Sequence, residues 1–220
     1  MWSYYGRKTK VVQYYPVPKY NIIIEPFAGS AVYSLYNNNW KNKVILIDKY
    51  DVIIYLWKYL KFSNSEEINN LPELSLRQDI RKLNLSKELK WLIGFYISQG
   101  SAIPKHTVQK WGARDWHRNR SYVADNIHKI KHWEFILGEY DSINNIEATW
   151  FIDPPYQYGN KYYKHKYIDY NKLREWIYTL KGQVIVCENT KADWLDFKPL
   201  KEMHGQLHKT TEAVWLGGSK

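Results

Sequence analysis

Cysteine is almost missing from this chain: its 220 residues contain one, Cys187. A lone thiol excludes an intrachain disulfide framework and points to a reducing compartment. Long apolar runs are missing too. No stretch approaches the ~20 apolar residues that cross a bilayer, and the amino terminus carries no signal-peptide core, so a cytoplasmic protein with no membrane partner is expected. Acids are scarce beside bases, 22 against 32, which leaves a net charge of +10. That balance calls for a polyanionic partner, nucleic acid before membrane. The seven histidines show neither H-E-x-x-H nor clustering with cysteine, so no metal site is expected. A Walker-type loop, a G-x-G-x-x-G fingerprint and a Ser-His-Asp pattern are all lacking, which sets aside phosphoryl transfer, dinucleotide binding and serine hydrolysis. No internal repeat is visible.

What the chain does have is aromatic residues, with 11 tryptophans and 20 tyrosines, some interleaved with basic residues as a base-stacking surface requires. The most informative stretch is Ala148-Thr149-Trp150-Phe151-Ile152-Asp153-Pro154-Pro155-Tyr156-Gln157. The apolar run reads as a buried strand, and two prolines, without backbone donors and with fixed φ, stop it in a stiff turn. One carboxylate, a pair of carbonyl acceptors and one aromatic ring then stand at the carboxyl end of a strand, where open α/β sheets bind ligands. The cluster suits a planar ring bearing an amino group: Asp153 and a proline carbonyl accept from the NH2 while Tyr156 stacks on the ring. The bland alternative is an Asp capping a proline turn.

Other segments frame that site. Asn21-Ile22-Ile23-Ile24-Glu25-Pro26-Phe27-Ala28-Gly29-Ser30-Ala31 reads as a strand, a small-residue turn and a helix over 30–36 that breaks at Asn37-Asn38-Asn39. Val44 to Asp48 is a second buried strand whose terminal acid lies about 20 residues past that turn, where a ribose is held; capping of the next helix is the alternative. The periodicity predicts helices over 51–62, 86–97 and 170–180, and strands over 134–140, 183–187, 198–203 and 212–216. A turn is expected around His204-Gly205. Residues 63–72 read as linker and loop. Between Lys105 and His132 seven Lys or Arg face two Asp. Within it Lys110, Arg114, Arg118 and Arg120 are candidates for phosphate contact, weighed against a solvated basic loop. Lys161 and Lys164 belong to a basic-aromatic, mobile lip beside the site. The expected architecture is a three-layer α/β fold, its seven-stranded sheet mostly parallel with an antiparallel hairpin end.

The order Tyr4-Tyr5-Gly6-Arg7-Lys8, Glu25-Pro26-Phe27-Ala28-Gly29-Ser30-Ala31, Asp48, a basic insertion, Asp153-Pro154-Pro155-Tyr156 and Glu212-Ala213-Val214-Trp215 resembles the Dam-like (D12 class) adenine-specific DNA methyltransferases of solitary bacterial or phage type. The resemblance covers roughly residues 2–61 and 133–216. It implies a Rossmann-like class I S-adenosylmethionine-dependent methyltransferase, with a catalytic domain over 1–61 and 133–220 and a small target-recognition insert over 62–132. It also implies methyl transfer to the exocyclic N6 amino group of an adenine flipped out of double-stranded DNA, S-adenosylhomocysteine as product and no metal. By position, Tyr4, Lys8, Pro26, Phe27, Gly29, Asp48, Glu139, Tyr140 and Asp153 match donor-binding positions. Asp153, Pro154, Pro155 and Tyr156 match the catalytic motif. A monomer is expected, with a dimer on DNA as the alternative. Arg7 and Ala31 stand where the family has glycines, and alanine fits that turn only with a negative φ. The competing readings are the same chemistry on RNA and a non-catalytic nucleic-acid-binding relic of the fold.

Overall fold

A computed structural model of the chain describes residues 1–97, 100–159, 162–204 and 209–218. Seven strands form one sheet: β1 Ile22–Glu25, β2 Lys43–Asp48, β3 Glu134–Leu137, β4 Ala148–Ile152, β5 Gly182–Asn189, β6 Lys198–His204 and β7 Lys209–Gly217. Their order is β3-β2-β1-β4-β5-β7-β6. The first five are mutually parallel, and β7 pairs antiparallel with both β5 and β6. The expected mostly parallel sheet with a hairpin end is therefore present, in an arrangement compatible with a Rossmann-like fold. The turn expected at His204-Gly205 lies outside the described residues.

The isoleucine run of β1 and the Ala148–Ile152 run of β4 are nearly all buried because helices or loops cover both sheet faces. Consecutive side chains of a strand enter opposite faces. Ile24, Trp150 and Ile152 join one apolar cluster with Leu173 and Ile177. Ile23 and Phe151 join the other, with Trp2, Trp57, Phe95, Trp116 and Trp133. Leu173 and Ile177 lie on α6, Tyr170–Thr179, and Trp57 on α2, Asp51–Phe62, whose bounds match the sequence pattern.

Two departures are instructive. The helix expected over 30–36 shrinks to α1, Val32–Leu35, because Gly29 and Ala31 both turn left-handed (φ 44° and 47°) before it starts. Residues 63–72 are not all loop: α3 spans Ser65–Asn69, capped by the Asn64 side chain accepting from Glu67 N.

Residues 62–132, expected from the sequence to be an insert, contain α3, α4 (Lys87–Tyr96) and α5 (Lys110–Asn126). They share an apolar cluster with the sheet through Phe95 and Trp116. Helix α5, read from composition as a basic stretch, is 17 residues long. Its buried positions, Gly112, Trp116, Arg120, Val123 and Ala124, recur at helical spacing. Lys110, Arg114 and Arg118 form an exposed stripe four residues apart. No helix among the described residues is long and apolar enough to cross a membrane.

Candidate functional site

In the strand order 3-2-1-4-5 the chain runs outward in one direction from β1 and in the other from β4, so a crevice opens at their carboxyl ends. Both motifs read from the sequence end there. The parallel register sets Ile24 of β1 opposite Ile45 of β2 and Trp150 of β4, and Asp48 of β2 opposite Leu137 of β3. Four strand ends thus bring Glu25 to Ser30, Asp48, Glu139 with Tyr140, and Asp153 to one edge. The cleft between them encloses about 810 Å³ of space, part of it open to solvent. Tyr4, Lys8, Pro26, Phe27, Gly29, Asp48, Glu139, Tyr140, Asp153, Pro155 and Lys164 all line it.

On the β1–β2 side, the turn is tied down by backbone. Ala28 N donates to Ile47 O at 3.0 Å and Trp57 Nε1 donates to Gly29 O at 3.1 Å. The Asp48 carboxylate accepts from Gly29 N at 3.1 Å through one oxygen and from Tyr50 N at 2.9 Å through the other. Burial raises its pKa to about 6, against those two hydrogen bonds. Gly29 needs its missing side chain, since a Cβ there would meet the Tyr4 ring at 3.2 Å. Glu25, read only as part of the motif, is buried; it accepts from Ser34 N at 2.8 Å and has its pKa pushed up to about 7 by that burial. Phe27 stacks on Tyr140, ring centroids 5.8 Å apart. Glu139 is exposed and pairs with Lys49 at 3.4 Å.

The β4 side is more highly charged. Lys8 Nζ lies 2.8 Å from Asp153 Oδ1, 3.6 Å from Glu212 Oε1 and 4.4 Å from the Tyr156 ring centroid. Burial raises Asp153 to a pKa of about 6, with the Lys8 charge opposing and the Glu212 charge assisting. For Lys8, burial favours the neutral amine, but Asp153 and Glu212 outweigh it and lift the pKa well above the lysine range. The buried pair is therefore ionised at neutral pH. Tyr170 donates to Pro155 O at 2.7 Å, which leaves the Pro154 carbonyl without a hydrogen bond among the described residues. Pro154 and Tyr156 stand behind the cleft wall rather than on it.

Several contributors were given no role of their own in the sequence. Glu212, on β7, accepts from the Tyr15 hydroxyl at 2.5 Å and from the Tyr156 hydroxyl. Its signal was an acid in phase with the buried Val214 of the same strand. Glu188, fully buried at the end of β5, accepts from Gln157 N at 2.5 Å and so fixes the residue after Tyr156. Tyr163, part of the aromatic lip expected beside the site, meets Tyr4 and Tyr5 with ring centroids 6.3 and 5.3 Å apart, a pairing the sequence did not show.

The basic candidates divide. Arg114 and Arg118 are exposed, Arg114 stacking on Trp111 at 4.2 Å and forking onto Asp115 with two 2.8 Å hydrogen bonds. Arg120 is a correction: it is 7 % exposed, donates to Leu71 O and to Glu73 at 2.6 Å, and faces the insert's own core instead of solvent. Lys110 lies at the exposed start of α5, away from the cleft, and Lys164 is exposed at its rim. Lys161 lies outside the described residues.

No family model matches the chain, and no curated protein matches it.

Proposed function

We propose that the protein is an S-adenosylmethionine-dependent DNA methyltransferase of the Dam-like kind, acting on the N6 amino group of adenine. The observation that carries this reading is one cleft with two unlike walls. The β1–β2 wall offers a small-residue turn, a half-buried carboxylate and an aromatic pair. The β4 wall offers the acid Asp153 beside a proline turn, with Tyr156 set behind it.

The donor fits the first wall by its chemistry. Each Asp48 oxygen keeps a lone pair beyond its backbone hydrogen bond, so it is able to accept from ribose hydroxyls. Phe27 and Tyr140 supply apolar faces for an adenine ring, and the Tyr4 ring packs on the Gly29 turn that lines the cleft toward the methionine portion. When bound, S-adenosylmethionine supplies an electrophilic methyl group on a sulfonium.

The chain's own residues do the rest. Asp153 and the Pro154 carbonyl accept from the target amine, drawing its nitrogen toward tetrahedral geometry, and Tyr156 supports the ring. Positioning and fixed acceptors carry the chemistry, and the amine loses its proton after transfer, so no strong base is required. Reaching the cleft obliges the base to leave the duplex, a cost of a few kcal/mol. The exposed Lys110–Arg114–Arg118 stripe supplies phosphate contacts, in keeping with the net charge of +10.

The test is incubation with labelled S-adenosylmethionine and mixed-sequence duplex DNA, with matched RNA in parallel, followed by digestion and mass spectrometry of the nucleosides. N6-methyl-2′-deoxyadenosine from the DNA, with no N6-methyladenosine from the RNA, is expected. Label in RNA alone would replace the substrate, and label in neither, with no donor-induced rise in melting temperature, would reject catalysis in favour of a binding relic.

A further inference from the structure

Glu212 gathers more of the catalytic end than any residue of the motifs. One oxygen, Oε1, receives both the Tyr15 and the Tyr156 hydroxyls and lies 3.6 Å from Lys8 Nζ. The other, Oε2, takes no hydrogen bond among the described residues. The side chain is 11 % exposed and that of Lys8 is 7 % exposed. Lys8 therefore stands between two carboxylates, with Asp153 the nearer at 2.8 Å, and covers a face of the Tyr156 ring at 4.4 Å.

Two requirements of methyl transfer conflict with that resting arrangement. Asp153 has to accept from the incoming amine, and the Tyr156 face has to receive the base, yet the Lys8 ammonium stands at both. An ammonium buried this deeply is strongly destabilised if left unpaired. A shift away from Asp153 toward Glu212, whose Oε1 already lies 3.6 Å off, keeps it paired beside the Gly6 carbonyl at 3.2 Å and releases Asp153 for the amine.

We propose that Glu212 is a positioning residue for the transfer: it anchors the Tyr156 hydroxyl so that the ring stays in place as a stacking platform, and it takes over the Lys8 ammonium when Asp153 turns to the target amine. The inference rests on the methyltransferase reading. Glu212 touches neither donor nor target; it acts through Tyr156 and Lys8.

The test uses Glu212→Gln, which keeps the shape and an accepting oxygen but loses the charge, alone and combined with Lys8→Gln, in the labelled-donor assay on duplex DNA. The single variant is expected to lower kcat roughly 10- to 100-fold, the scale of a misplaced reacting group, with KM for the donor within about twofold. Adding Glu212→Gln to Lys8→Gln is expected to lower kcat no further, because the two act as one unit. Unchanged kcat in the single variant would overturn the proposal, as would a loss that multiplies fully in the double variant, which marks a merely structural role. Should Glu212→Gln fail to fold, Tyr156→Phe tests the anchor: kcat is expected to fall about fivefold, the worth of one hydrogen bond, and quenching of 2-aminopurine at the target position is expected to weaken. Wild-type values for both would overturn it. Wild-type protein that neither transfers methyl groups nor gains melting temperature with donor would overturn the parent reading and this one together, an outcome distinct from an active wild type with an equally active Glu212→Gln.

Discussion

Two regions of this molecule carry positive charge, and they use it differently. At the sheet edge a single ammonium, Lys8, is buried between Asp153 and Glu212. On α5 the arginines are spread along a helix: Arg114 and Arg118 lie in solvent beside Asp115, and Arg120 is turned inward against Leu71 and Glu73. A buried charge is confined to its partners, so Lys8 has only Asp153, Glu212 and the Gly6 carbonyl to meet. An exposed charge is worth little to the fold and is free to meet a ligand. Count alone equates these groups; burial separates the one that shapes the site, the one that holds the insert and the two available to a polyanion.

The largest expected effect falls on the sheet edge. Asp153→Ala is expected to lower turnover by at least 10²- to 10³-fold, the range seen when one fixed polar group is removed from a reacting centre. DNA binding by filter retention should stay close to wild type, because the exposed cations lie elsewhere. Retained turnover would remove Asp153 from the mechanism and dissolve the contrast between the regions. A pH profile refines the same point. Asp153 offers the amine a full negative charge and two accepting oxygens only when ionised, and burial raises its pKa to about 6. Activity is therefore expected to be full well above pH 6 and to fall tenfold per unit below it. A flat profile down to pH 5 would mean that Asp153 is not the ionisation that matters.

The sheet edge was legible because strand, turn and chemistry coincide there in a few residues. Ile22 to Glu25, Val44 to Asp48 and Trp150 to Asp153 each pair an apolar run with a terminal acid, and parallel pairing brings such ends together. What escaped was contributed from afar. Glu212, quoted from the sequence only as part of a motif, and Glu188 reach the site from β7 and β5, and no spacing along the chain shows which side chains they meet through sheet pairing. The insert escaped for another reason. Helix α5 has Gly112 in its first turn, no side-chain cap and a surface dominated by charge, so its period was hidden behind its composition. Read at 3.6 residues per turn, Trp116 and Arg120 fall on one face and Lys110, Arg114 and Arg118 on another, which would have separated the arginines.

That separation is the next thing to test. Arg120→Ala removes the donor to Leu71 O and leaves a buried carbonyl without a partner, expected to cost about 1–3 kcal/mol of stability. At this chain length each kcal/mol lowers the melting temperature by roughly 2–4 °C. Arg114→Ala with Arg118→Ala is expected to change stability by less than about 0.5 kcal/mol per site. Together they should instead flatten the salt dependence of DNA affinity, by about one unit of slope per lost phosphate contact. A stability loss in the exposed pair, or an altered salt slope in Arg120→Ala, would reverse the assignment of these residues.

The smallest expected effect lies in the donor-side turn, the part of the sheet edge where sequence and structure disagree. Alanine at position 31 was expected to fit the turn only with a negative φ, yet it takes φ 47° and ψ 48°. The turn has to bend this way because Ala31 N donates back to Ala28 O at 2.8 Å, and the next helix begins only at Val32. For an L-residue with a Cβ this conformation costs roughly 1–2 kcal/mol. Glycine removes that strain but brings about 0.5–1 kcal/mol of extra chain entropy in the unfolded state. Ala31→Gly is therefore expected to stabilise the protein by up to about 1 kcal/mol, a rise of a few degrees in melting temperature. A fall would mean that the buried Ala31 methyl contributes more through packing than its backbone loses through strain. In either case the comparison gains a term, because the strain sits at the turn proposed to hold the donor, while the described residues over 62–132 place Arg77 alone among their non-glycine residues at such a φ, in a loop outside α3, α4 and α5.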